Sequence, residues 1–235
     1  MTTRSEAIRG CGGPEHRVCI VDDDDGYRLS IHRLLQACGF RPESYRCAGE
    51  YLLAEHRDVP SCILLDMCMP GPTGLELFSA LAARGTAPPV IFVTASNDVT
   101  ATVHAMKSGA VGFLTKPVER ERLVETVHHA VALDVSRRAA RDEVEQLRDR
   151  YLRLSECERI VFAGVISGKL NKQLAVTLGI CERSIKSYRA RVLQKLGVSS
   201  IADLVRTAKR LDLPEYRPVP RGESVRYHSG EYIRA

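Results

Sequence analysis

The sequence predicts an α/β half, built on a doubly wound parallel sheet of five strands, joined by a polar helix to a small all-helical domain. Three observations predict it. Over residues 17–133, short continuous apolar runs alternate with amphipathic stretches, the pattern of parallel strands covered on both faces by helices. Over residues 155–213, four helical stretches are separated by Gly168, Gly179-Ile180 and Gly197. Charge divides in the same place. Residues 1–133 hold 13 Lys+Arg against 16 Asp+Glu, a net −3, and residues 134–235 hold 21 against 13, a net +8.

In chain order, Arg17–Val21 (RVCIV) is a buried strand that stops at four aspartates. Tyr27–Cys38 has apolar residues at 27, 31, 34, 35 and 38, which is helical spacing, and Gly39 ends it. Residues 41–58 supply a short strand and helix. Ser61–Leu65 (SCILL) is a strand ending at Asp66, and Gly74–Ala83 a helix. Pro89–Val93 (PVIFV) is a strand ending at Thr94. Val99–Lys107 is a helix closed by Gly109, Val111–Thr115 a strand ending at Lys116-Pro117, and Glu119–Leu133 a helix. Residues 134–153 lack Gly and Pro and carry one apolar stripe (Val144, Leu147, Tyr151), which predicts a linker helix open to continuity with the helix before it. Residues 1–16 and 214–235 lack periodicity or an apolar core and are expected to be disordered.

Composition narrows the classes. The 235 residues are 44% hydrophobic and 27% charged, a globular balance. No apolar run approaches a membrane span of about 20 residues, and the first sixteen residues have no apolar signal core. The eight Cys form no CxxC, which argues against a zinc site or disulfide framework and for free thiols in a reducing cytoplasm.

In doubly wound sheets the ligand site lies beyond the carboxyl ends of the strands. Asp22, Asp23, Asp66, Thr94 and Lys116 stand at those ends. Clustered carboxylates repel one another and invite a divalent cation, and oxygen ligands with room for water suit Mg²⁺. A lone aspartate there is usually a turn residue; the convergence of five polar groups is what carries the inference.

The motifs IVDDDD, LLDMCMP, VTASND and GFLTKP, over residues 17–133, resemble the receiver domain of two-component response regulators. The resemblance implies a flavodoxin-like fold. It implies Mg²⁺ held by Asp22 or Asp23, Asp66 and the Cys68 backbone carbonyl, and phosphorylation of Asp66 by a sensor histidine kinase. Lys116 and Thr94 would contact the phosphoryl oxygens, and Phe113 would be a switch aromatic that turns inward on activation. The chemistry is consistent: a carboxylate attacks phosphorus to give an acyl phosphate, while cations neutralise the transferring oxygens. Lys116-Pro117 is a candidate cis peptide. Asp24 and Asp25 extend the usual acidic pair, either as turn carboxylates or as metal support. Cys68 and Ser96 stand where the family tunes the lifetime of the phosphoryl group.

The basic half carries a second resemblance. Over residues 153–213 it is similar to the LuxR-type helix-turn-helix of FixJ/NarL-class regulators, on Leu154, Ser155, Glu158, Gly168, Asn171, Lys172, Ala175, Leu178, Ile180, Ser184, Ile185, Arg189, Val192, Lys195 and Leu196. Leu170–Leu178 is the first helix of the motif and Gly179 its turn. In the second helix, Glu182–Leu196, Ile185, Val192 and Leu196 face inward. Lys186 and Ser187 then become the base readers in a major groove, with Arg183 and Ala190 at the margin. Arg189, Asn171, Lys172 and Lys195 are placed for phosphates. Two departures stand out. Cys157 replaces an Arg beside Glu158, which removes one salt bridge. Cys181 replaces the Ser or Thr N-cap of the second helix.

Together the resemblances imply a cytoplasmic, bacterial, DNA-binding transcriptional regulator, nucleoid-associated when bound to DNA. It accepts a phosphoryl group, catalyses its own phosphorylation and dephosphorylation, and is otherwise no enzyme. Phosphorylation would favour a homodimer through the face made by 98–108 and 111–114. Double-stranded promoter DNA is the partner, with RNA polymerase as a further contact. Two alternatives use the same residues. A Mg²⁺-dependent phosphatase with an Asp nucleophile needs a second Asp two residues on, where Cys68 stands. A phosphorylation-independent regulator would not need a complete pocket.

Overall fold

The computed structural model describes residues 16–55, 59–83, 85, 87–95, 105 and 107–213. The chain divides into two compact units between Ala139 and Ala140. In the first, five strands lie in one sheet: β1 (Arg17–Val21), β2 (Arg41–Tyr45), β3 (Ser61–Asp66), β4 (Val90–Thr94) and β5 (Gly112–Thr115). Their order is β2-β1-β3-β4-β5 and every pair is parallel, the flavodoxin-like arrangement. Strand order reverses between β1 and β3, which opens a crevice past Val21 and Asp66.

The apolar runs alternate between the two faces of the sheet, with side chains of period two. Cys19, Val21, Ile63, Leu65, Val90 and Phe92 pack on one face with Tyr51 of α2 (Ala48–Leu53) and Leu77, Phe78 and Leu81 of α3 (Gly74–Ala83). Val18, Ile20, Cys62, Leu64, Ile91, Val93 and Leu114 pack on the other. There they meet Ile31 and Leu35 of α1 (Asp25–Ala37) and Leu123, Val127 and Val131 of α4 (Arg120–Leu152).

One element differs from the sequence expectation, and one resolves an alternative that the sequence left open. Helix α1 begins at Asp25, two residues early, because Asp24 caps it by accepting from the Gly26 and Tyr27 amides at 2.9 and 3.0 Å. The stretches 119–133 and 134–153 form one helix of 33 residues, since nothing between them breaks it. Within the first unit, the fully buried Asp134 fixes that helix to the start of β3: it accepts from the Ser61 amide at 2.9 Å and from Arg138 Nε at 2.7 Å. Apart from Ala105 and Lys107, the helix expected at 99–107 lies outside the described residues.

The second unit has four short helices after the end of α4: α5 (Glu156–Ile166), α6 (Asn171–Leu178), α7 (Glu182–Leu196) and α8 (Ile201–Arg210). They enclose a core of Leu154, Val161, Phe162, Leu174, Ile185, Val192, Leu196 and Leu204, closed by Tyr151 from α4. Gly179 and Gly197 end α6 and α7 at φ 65° and 70°, a left-handed turn that glycine adopts without strain. No helix among the described residues is long and apolar enough to cross a membrane.

Candidate functional site

The crevice brings four of the expected residues together. Asp22, at the end of β1, and Asp66, at the end of β3, are buried, and Asp23 is exposed beside them. One carboxylate oxygen from each lies within 4.8 Å of the others. Lys116 comes from beyond β5, and its Nζ donates to Asp22 Oδ2 at 2.6 Å and to Asp66 Oδ2 at 2.8 Å. Burial pushes the Asp22 carboxyl above its ordinary value, against the pull of Lys116. Burial also opposes the charge on Lys116, but Asp22 and Asp66 outweigh it and hold the ammonium above the ordinary lysine value.

The remaining residues surround this cluster. Thr94 is buried at the end of β4, and its carbonyl accepts the Lys116 amide at 2.7 Å. The Lys116-Pro117 peptide is cis. Cys68 points its side chain outward while its amide donates to Asp66 Oδ1 at 3.2 Å. Phe113 is half-buried against the core face that includes Phe92. Asp24 is the α1 cap, and Asp25 pairs with Arg28, so the extension of the acidic pair serves the helix start. Ser96 lies outside the described residues.

Three contributors escape the sequence reading. Arg28 is buried and donates to the Asp22 carbonyl at 2.6 Å, which steadies the loop after β1. Its signal is a lone Arg one turn before Ile31, on the inner stripe of α1. Gly74 approaches Asp66 so closely that a Cβ there would sit 2.2 Å from the Asp66 carbonyl oxygen. Tyr27 places its ring under the ammonium of Lys116, 4.3 Å from the ring centroid. Burial pushes the Tyr27 phenol up to about 12, so it stays neutral.

In the second unit Arg183, Lys186, Ser187 and Ala190 are exposed on α7, opposite the buried Ile185, Val192 and Leu196. Lys172 is exposed at the start of α6. Arg189 is half-buried and donates to Asn171 Oδ1 at 2.7 Å, joining the two helices of the motif. Lys195, expected at a phosphate, is paired within the second unit. Its ammonium donates to Glu158 Oε2 at 2.6 Å, because Glu158 is buried and needs a cation. The cation that pairs with Glu158 thus comes from α7. Glu158 also closes a capping box with Ser155.

Cys181 occupies the N-cap of α7 in the extended conformation but makes no side-chain cap bond; its Sγ meets Ser184 Oγ at 3.3 Å. Cys181→Ser is expected to stabilise the second unit by about 1 kcal/mol, seen as slower amide hydrogen exchange along α7.

Comparison with known proteins matches this division. Residues 18–128 fit the family model of the response regulator receiver domain, and residues 152–208 that of the bacterial regulatory proteins of the luxR family. The chain is 37% identical over 196 residues to nodulation protein W of Bradyrhizobium diazoefficiens, covering 83% of this chain and 86% of that protein. It is 36% identical over 191 residues to the transcriptional regulatory protein FixJ of Azorhizobium caulinodans, covering 81% and 90%. Among solved structures, the response regulator StyR matches with a TM-score of 0.72 at 38% identity, covering 83% of this chain and 99% of StyR. An acidic crevice at the switch point of a flavodoxin-like sheet, followed by a helix-turn-helix of this pattern, places the chain in the two-component response regulators of the FixJ/NarL class, which it belongs to as a receiver domain followed by a LuxR-type DNA-binding domain.

Proposed function

We propose that a sensor histidine kinase phosphorylates Asp66 and that this controls binding of α7 to promoter DNA. The observation that carries the reading is the convergence of Asp22, Asp23, Asp66 and Lys116 on one point. An Asp66 oxygen attacks the phosphorus of the phosphohistidine. The new O–P bond forms as the P–N bond breaks, and the imidazole nitrogen leaves with the electron pair. Lys116 gives up its Asp66 contact to meet a phosphoryl oxygen, and the Thr94 hydroxyl donates to another.

The donor set fits Mg²⁺. Three carboxylates and one ammonium leave a formal charge of −2, and all the donors are hard oxygens. Asp22 or Asp23, Asp66 and the Cys68 carbonyl would hold the ion, which supplies charge neutralisation to the transferring phosphoryl group.

Movement of Thr94 frees space for Phe113 to turn inward. The face at 98–108 and 111–114, of which 98–104 and 106 lie outside the described residues, would then favour a homodimer, so that two α7 helices meet a two-fold site. Lys186 and Ser187 read bases, flanked by Arg183 and Ala190. Asn171, Lys172 and Arg189 contact phosphates. Such a protein works in the bacterial cytoplasm, at the nucleoid, with RNA polymerase as a further partner. The test is promoter occupancy with and without a phosphodonor, in wild type and in Asp66→Asn. Equal occupancy in all four conditions would sink the reading.

Lys186→Ala is expected to lose about 1–3 kcal/mol of discrimination between the cognate site and random DNA, with smaller loss on random DNA. Equal loss on both, in a titration at fixed salt, would assign Lys186 to phosphate alone.

A further inference from the structure

Resting on the assignment of Asp66 as phosphoacceptor, we infer that Tyr27 is a positioning residue for phosphoryl transfer, its ring holding the Lys116 ammonium over the acceptor before and after the phosphoryl group arrives. The need for such a residue follows from the sheet order. Lys116 stands beyond β5, two strands from β3 and three from β1. At about 4.8 Å per strand, the backbones that carry its partners lie roughly 10 and 14 Å away across the sheet, so Lys116 and the two aspartates extend toward one another. An extended lysine side chain has several rotatable bonds, and fixing them costs entropy.

Three groups fix it. Asp22 and Asp66 accept at 2.6 and 2.8 Å, and the Tyr27 ring lies 4.3 Å from Nζ. The cation faces the ring's electron-rich surface in a site where only 16% of the Lys116 side chain is exposed, conditions under which a cation–π contact is strong. The three contacts differ in what transfer does to them. When an Asp66 oxygen bonds phosphorus, the donor's own bond to phosphorus (P–N in phosphohistidine, P–O in acetyl phosphate) breaks with its electron pair leaving on the donor, and the carboxylate loses its full negative charge. Lys116 must then move from Asp66 to a phosphoryl oxygen. The ring contact does not depend on Asp66, so it persists through that move.

The ring, and not the hydroxyl, is the part in use. The Tyr27 hydroxyl is buried with no hydrogen-bond partner among the described residues. A buried unpaired hydroxyl opposes folding, so its removal is not harmful in itself. The competing role is packing alone, since Tyr27 shares its surroundings with Ile31 and Leu123. Packing and positioning separate in a double-mutant cycle.

The experiment measures phosphorylation of the full chain by acetyl phosphate at saturating Mg²⁺. Tyr27→Leu is expected to slow it about three- to tenfold, and the unbranched Tyr27→Met serves if the leucine variant folds poorly. Tyr27→Phe is expected to rescue the rate, with a melting temperature at or above that of wild type. In a Lys116→Ala background, Tyr27→Leu is expected to slow the reaction no further. Equal slowing in both backgrounds, an unslowed Tyr27→Leu, or a Tyr27→Phe as slow as Tyr27→Leu would overturn the inference. Phosphate uptake by Asp66→Asn at the wild-type rate would instead overturn the acceptor assignment on which it rests.

Discussion

Asp66→Asn is expected to incorporate no phosphate from acetyl phosphate over the time in which wild type is saturated, a loss of at least about a thousandfold in rate. The substitution keeps the shape of the side chain and removes the anion proposed to attack phosphorus. The fold has no reason to suffer. Asp66 lies among two other carboxylates, so the change relieves repulsion, and Lys116 keeps Asp22 at 2.6 Å. The variant should therefore melt no lower than wild type without Mg²⁺. Mg²⁺ should bind it more weakly, since one anionic ligand is gone. Mass spectrometry reads the adduct and scanning calorimetry the stability. Wild-type incorporation would move the acceptor elsewhere, and a variant that unfolds would show that the Lys116–Asp66 contact is needed for folding.

The crevice was legible because strand ends are legible. A parallel strand buried on both faces has to be apolar throughout, so the first charged residue after RVCIV or SCILL marks where the chain leaves the sheet. Once strand order follows the flavodoxin-like pattern, those ends meet. Contacts made by long side chains were not legible. Arg28 reaches back to the Asp22 carbonyl, Lys195 crosses from α7 to Glu158, and Tyr27 slides under Lys116. Each depends on rotamers and on distances between elements, which spacing along the chain does not encode. Asp24 and Asp25 teach the same lesson in reverse. Four aspartates in a row look like one ligand set, yet the backbone turns into α1 within them. Two serve the crevice side, and two serve the helix start as cap and first-turn ion pair. The joined helix α4 shows a third limit. Its composition changes from half-apolar to strongly polar near residue 134 while its backbone continues unbroken.

Lys195→Met is expected to destabilise the second unit by about 1–3 kcal/mol at neutral pH. Glu158 is 2% exposed, and Lys195 is the cation that balances it. Breaking a fully buried pair costs about 3–5 kcal/mol; the figure here is lower because 41% of the Lys195 side chain meets solvent. Burial alone would raise the Glu158 carboxyl; Lys195 and the Ser155 cap outweigh it and hold it below the ordinary glutamate value. A depressed folded value means that the stabilisation is present above the unfolded value, about 4.5, and is lost as pH falls through the folded one. In Lys195→Met the pull of the ammonium is gone, so burial weighs more on the carboxylate and acid relieves part of the strain. The stability gap between wild type and variant should therefore be wide at pH 7 and close on acidification below about 4.5. Adding Glu158→Gln to Lys195→Met should recover most of the loss, since a neutral amide still accepts the Ser155 amide in the capping box and needs no counter-charge. Amide hydrogen exchange over α5 and α7 in the full chain reads each state. A gap that widens in acid, or a double variant no better than Lys195→Met, would mean that Lys195 is free to serve as a phosphate anchor after all.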